Sequence, residues 1–103
     1  MPVKPKCFTK TVTTAGTAEQ LTTAALNVPA VRVQAKIANT GQVYVGDKAV
    51  SATNTGIELD SGDSMMLSAS ALGMVGKLVS LKDVWLDVSV SADGVWILLL
   101  EET

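Results

Sequence analysis

The sequence contains no histidine and a single cysteine, Cys7. Without histidine there is no Ser-His-Asp or Cys-His relay, no imidazole metal ligand, and the commonest general base is missing. A lone cysteine rules out an intrachain disulfide. Cys7 beside Lys6 reads as a small apolar residue at a strand start, and the chain is expected in a reducing cytoplasm. Aromatic residues make up only 4% of the chain and charged residues 17%, so the apolar 48% is mostly valine, leucine and alanine. No apolar run approaches the roughly 20 residues of a membrane helix. Met1-Pro-Val-Lys-Pro-Lys-Cys-Phe8 holds no hydrophobic segment that could serve as a signal peptide. Positive charge is also lacking: the formal net charge is −2, the pI is near 4.9, and the eight basic residues are scattered apart from Lys4, Lys6 and Lys10. Binding a phosphate backbone needs several cations on one surface. Neither nucleic acid nor membrane is therefore expected as a partner, and no metal or cofactor.

What is present is a pattern. At 103 residues the chain is long enough for one domain and one core. Its mean hydropathy of +0.35 is high for that size. Such a composition is too apolar for disorder and implies surface that another chain covers, so assembly is the first functional expectation. Residues 1–7, with two prolines and two lysines, read as an extended N-terminal arm, and residues 8–103 as a single β domain. Phe8–Thr14 is rich in β-branched residues and reads as a strand. Thr17–Leu26 reads either as a short helix, capped by Thr17 with Gln20, or as a loosely extended segment, which the threonines and Pro29 favour.

Two hairpins are expected. In the first, Val31, Val33, Ala35 and Ile37 alternate with polar residues, Asn39-Thr40-Gly41 supplies the turn, and Val43-Tyr44-Val45 returns. In the second, Val84, Leu86, Val88 and Val90 alternate with Trp85, Asp87, Ser89 and Ser91, Asp93-Gly94 marks a tight turn, and Val95–Leu100 returns. With a two-residue turn, Val90 would face Ile97 and Val88 would face Leu99, leaving Trp96, Leu98 and Leu100 on the opposite face. That last arm is apolar on both sides, so both need cover, and Trp96, Leu98 and Leu100 become candidates for self-association. Between the hairpins come a polar loop at 47–56, a short strand Ile57–Leu59, a turn Asp60–Asp63, a strand Ser64–Ser68, a glycine-containing loop at 69–76 and a brief strand Leu78–Leu81. About eight short strands without a convincing helix indicate an all-β fold, an antiparallel β-sandwich of jelly-roll type or a small barrel.

No constellation here carries chemistry. Asp60 and Asp63 are better explained by a turn bonding its own backbone than by acid–base work, and they lack the ligand density of a calcium loop. Gly41–Lys48 has the glycine spacing of a phosphate loop, but Asp47 stands where the lysine belongs and would repel phosphate. Gly73-Met-Val-Gly76-Lys77 has the glycine spacing of a nucleic-acid clamp without its flanking helices. Trp85 and Trp96 admit two readings, a stacking platform for sugar or packing against a neighbouring subunit. Leu98 and Leu100 on the face of Trp96 favour packing. Lys4, Lys6 and Lys10 would attract an acidic neighbour at long range.

The order Asn39-Thr-Gly-Gln-Val-Tyr-Val-Gly46, Thr55-Gly-Ile-Glu-Leu-Asp-Ser-Gly-Asp63, Leu81-Lys-Asp-Val-Trp-Leu-Asp-Val88 and Asp93-Gly-Val95 resembles small virion proteins of tailed bacteriophages, of the capsid decoration or cement type. The likeness spans about residues 17–100 and excludes the arm. It implies a non-enzymatic β-sandwich that forms a dimer or trimer, made in the bacterial cytoplasm and bound to the exterior of the virion's capsid. Its partner would be the major capsid protein, docked through Lys4, Lys6 and Lys10. The alternative is a carbohydrate-binding or host-adhesion module of a fibre or tail.

Overall fold

The computed structural model describes residues 2–51 and 56–102. Met1 of the expected arm and residues 52–55 of the expected 47–56 loop lie outside the described residues. The strands are β1 (Val3–Thr11), β2 (Glu19–Gln20), β3 (Asn27–Val28), β4 (Ala30–Ala35), β5 (Val43–Gly46), β6 (Ile57–Leu59), β7 (Ser64–Ser68), β8 (Val79–Ser80), β9 (Trp85–Val88) and β10 (Gly94–Glu102), with one 3-10 turn at Leu81–Asp83. All pairings among them are antiparallel, in two four-stranded sheets and a small ribbon. Sheet I has the order β1-β10-β4-β7, sheet II the order β2-β9-β5-β6, and β3 pairs with β8. The chain is all-β, and the segment at 17–26 is extended rather than helical, holding only the two-residue β2.

Alternation places the core. Val31, Val33 and Ala35 of β4 and Val95, Ile97 and Leu99 of β10 are buried on the inner face of sheet I. Val43 and Val45 of β5 with Leu86 and Val88 of β9 are buried in sheet II, and all ten belong to one cluster. Its buried members are aliphatic, and the partly buried Phe8 packs against them. Valine and leucine on two pleated surfaces fill such a core without polar atoms needing partners.

Neither expected hairpin forms. β4 belongs to sheet I and β5 to sheet II, so residues 36–42 carry the chain across the core. β9 belongs to sheet II and β10 to sheet I, so residues 89–93 carry it back. Val88 consequently lies opposite Val43, not beside Leu99, and Val90 is surface-exposed. Ile37, expected to continue the inward row of β4, is 80% exposed because the strand ends at Ala35. An Asp-Gly hairpin turn of type I′ needs positive φ at both residues. Neither Asp93 nor Gly94 has it; the left-handed residue is Ala92, at φ 74°.

The two crossings hold each other. The Asn39 amide donates to Gly94 O at 2.8 Å and accepts from Gly94 N at 3.0 Å. The Asp93 carboxylate accepts from Thr40 N at 3.1 Å and Gly41 N at 2.8 Å. Val12, fully buried, joins them through its backbone to Asp93 O and Ala92 N. Gly94 is required here by proximity, since a Cβ would run into the carbonyl of Lys10 on β1.

The N-terminal arm is also corrected. Residues 3–7 are the first half of β1, paired with Leu98–Glu102 of β10. They are extended, as the prolines suggested, but within a sheet. An all-apolar last strand cannot leave its backbone edge open, and this segment supplies the missing partner.

Candidate functional site

β10 is a central strand of sheet I, and its side chains split cleanly between two environments. Val95, Ile97 and Leu99 are buried, whereas Trp96, Leu98 and Leu100 are 52%, 40% and 56% exposed on the outer face. The register sets their neighbours. Trp96 lies between Thr9 and Gln34, Leu98 between Cys7 and Arg32, and Leu100 beside Pro5. Met66 of β7 stands opposite Arg32, and Met66 and Val3 are exposed on this same side. The three residues expected to self-associate thus form one apolar row along the middle of an open sheet face. Single exposed hydrophobes are ordinary, whereas a contiguous row is the mark of a contact surface.

Two shallow grooves flank the row. One, of about 470 Å³, is lined by Val3, Ala30, Arg32, Met66, Leu98 and Leu100. The other, of about 210 Å³, is bounded by Arg32, Gln34, Trp96 and Leu98. Their polar members are tethered: Arg32 Nη2 donates to Ser64 Oγ at 2.9 Å, and Gln34 Nε2 to Gly62 O at 3.3 Å. The Lys36 ammonium sits 5.5 Å from the centre of the Trp96 ring, a cation–π contact worth about 0.5–1 kcal/mol at an exposed site. Trp85, on sheet II, has a similar contact with Lys48 at 5.9 Å.

The lysines are divided. Lys4, Lys6 and Lys10 share the register face of β1 opposite Glu101, Leu99 and Val95, the reverse side from Trp96. Lys4 and Lys6 both approach Glu101, at 3.6 and 3.9 Å. Lys10 donates to Glu19 Oε1 at 2.9 Å, and Thr13 N donates to Glu19 Oε2 at 2.7 Å. The bond from Lys10, then that from Thr13, holds the Glu19 carboxyl below its usual range. Lys10 is paired one to one with Glu19, whereas Lys4 and Lys6 share the single Glu101 carboxylate and stay largely exposed, which leaves net positive charge on that edge.

The near-motifs fall into turns and strands. Asp63 accepts from the backbone N–H of Asp60 at 3.2 Å, a turn bonding itself. Gly41 lies against Ser89, where a Cβ would collide with the hydroxyl, and Val43–Gly46 is strand β5. Gly73 and Gly76 take positive φ in a series of turns. Among the described residues no three Cys, Asp or Glu side chains converge to hold a metal. Sequence reasoning missed Asp87, which is 1% exposed on the register side of sheet II that also carries Tyr44. Its Oδ1 accepts from Gly16 N at 2.9 Å and from Val88 N at 2.8 Å. Burial, then the nearby Glu58 charge, pushes the Tyr44 hydroxyl up. A carboxylate alternating with Leu86 and Val88 reads as exposed; only the loop folding over it reveals the burial. Comparisons with protein-family models, with curated proteins and with solved structures find no match to this chain.

Proposed function

We propose that this chain is a structural virion protein that binds the outer surface of a phage capsid shell and cements neighbouring capsomers. The observation that carries the reading is the exposed row Trp96, Leu98 and Leu100 on the central strand of an open sheet face. Two exposed aliphatic side chains and a tryptophan anchor are the composition of an interface centre, and the tethered Arg32 and Gln34 supply a polar rim. The resemblance of the turn motifs to phage decoration proteins gives the partner, a major capsid protein, and the finer fold class, a jelly roll. Each copy contributes modest free energy, and the shell gains through the number of copies bridging its seams.

The test is a heat challenge of shells stripped of the protein and then reloaded. Wild-type protein should raise the temperature of DNA release, and a Trp96→Ser, Leu98→Ser double variant should bind with more than about tenfold weaker affinity. Equal protection by both proteins would remove this face from the contact. A second reading, a carbohydrate-binding module of a fibre or tail, is favoured by one arrangement: Gln34 and Arg32 border the groove beside the Trp96 ring. Glycan-array binding lost on Trp96→Ser, with no effect on shells, would support that reading instead.

A further inference from the structure

The four outer edges of the two main sheets are β1, β7, β2 and β6. An open edge is a template for another strand unless it is short, charged or interrupted by proline. β2 and β6 have two and three residues. β1 carries Lys4, Lys6 and Lys10 with Pro5. β7 has none of these protections. It is five residues of serine, methionine and leucine, and no strand lies beyond it among the described residues.

The sequence of β7 is nearly symmetric about its centre: Ser64-Met65-Met66-Leu67-Ser68. An antiparallel pairing of two copies centred on Met66 sets Met66 against Met66, Met65 against Leu67 and Ser64 against Ser68, with no charge and no mismatch in size. The backbone phase agrees. Ala35 N donates to Asp63 O at 2.9 Å, so alternation along β4 and β7 makes Val33–Met65 and Val31–Leu67 the bonded pairs. The N–H and C=O groups of Ser64, Met66 and Ser68 then point away from β4. Ser68 O accepts from Leu72 N at 3.3 Å on that outer side, in keeping with this phase. Its second lone pair is the one left for Ser64 N of a partner copy, and the two Met66–Met66 bonds are the centre of the pairing. Centring on Met66 is the register in which those outward groups meet their own counterparts.

The ends of the strand fit as well. Beyond Ser68 the chain exposes Leu72 and Val75, 76% and 80% accessible. Before Ser64, the 80% exposed Ile37 lies over Gly62. Antiparallel pairing brings the end of β7 that leads to Leu72 and Val75 in one copy towards the end beside Ile37 in the other. We propose that two copies of this chain pair through β7 about a two-fold axis at Met66, joining their sheets I into one eight-stranded sheet. Pairing about an axis perpendicular to the sheet keeps both Trp96 rows on the same side, as one doubled apolar face. This dimer stands whether or not the shell is the partner of that face.

Sedimentation of the full chain tests it. The wild-type protein should dimerise. Met66→Lys and Met66→Glu should each raise the dimer dissociation constant more than about tenfold, because like charges meet on the axis. An equimolar mixture of the two should restore dimers. Trp96→Ser should leave the dimer intact while weakening shell binding, which separates failure here from failure of the shell reading. Hydrogen exchange on the wild-type chain needs no variant. The Ser64, Met66 and Ser68 amides should gain protection as concentration rises, while Met65 and Leu67 stay protected throughout. A chain that is monomeric at about 1 mM, or a dimer whose Met66 amide exchanges as fast as in the monomer, overturns the proposal.

Discussion

Asn39 and Asp93 show how two turn-forming side chains become structural ties. Each was legible as a loop residue, because both types bond to backbone and tolerate irregular conformations. Their partners lie more than fifty positions away, and no local rule names them. Asp93 is 7% exposed, and Asp93→Ala removes the acceptor of two N–H groups, on exposed Thr40 and half-buried Gly41. The expected loss is about 1–3 kcal/mol in urea unfolding. Combined with Asn39→Ala, the effects should be non-additive, because both single changes loosen the same pair of crossings. Glu19 makes a second prediction at this scale. Its carboxyl titrates below its ordinary range in the folded chain, so its bonds add stability above the unfolded pKa that is lost as pH falls through the folded value. Urea midpoints for wild type and Glu19→Gln should therefore differ at about pH 7 and converge towards about pH 3. A constant difference would mean that the carboxylate charge is not what Lys10 and Thr13 stabilise.

At the level of the element, β10 carries the most information. Its alternation was visible, and so was the apolar character of both faces. The expected two-residue turn at Asp93-Gly94 put Ile97 and Leu99 inward by pairing them with Val90 and Val88; that pairing does not form, yet both side chains are buried. Leu99 is 4% exposed and Leu98 is 40% exposed, one residue apart on the same strand. Leu99→Ala should cost about 2–5 kcal/mol through the cavity it leaves, whereas Leu98→Ala should cost less than about 1 kcal/mol. Chemical denaturation of both variants checks this, and equal losses would mean that the outer face is covered within the monomer. The sequence pattern misassigned the partners of β10. A hairpin with β9 was the economical reading of Asp93-Gly94, but β1 and β4 flank it instead. Side-chain alternation is blind to that choice, because strands facing each other across a core and strands side by side both turn one face inward.

Across the whole molecule, the chain closes by bringing its ends together. β1 and β10 are the longest strands, nine residues each, and they pair along their full length. Removing residues 2–7 therefore does more than delete a docking arm. It leaves Leu98–Glu102 unpaired on one side, frees Glu101 from Lys4 and Lys6, and exposes a long apolar edge. The truncated chain should melt at lower temperature and aggregate on concentration, observable by circular dichroism and light scattering. A soluble truncation with an unchanged melting temperature would return this segment to the status of an independent arm.

The sequence by itself determined the all-β class, the inward rows of β4, β5, β9 and β10, and the grouping of Trp96, Leu98 and Leu100 on one face. Each of these depends on a period of two within a short window, and composition and neighbours set that period. Tertiary structure decided which sheet each strand joined, that Lys4 and Lys6 both approach Glu101, that Asp87 is buried, and that β7 is left with an open edge. Those outcomes turn on pairings between residues distant in the chain, where loop closure and core packing act together and no local signal records the result.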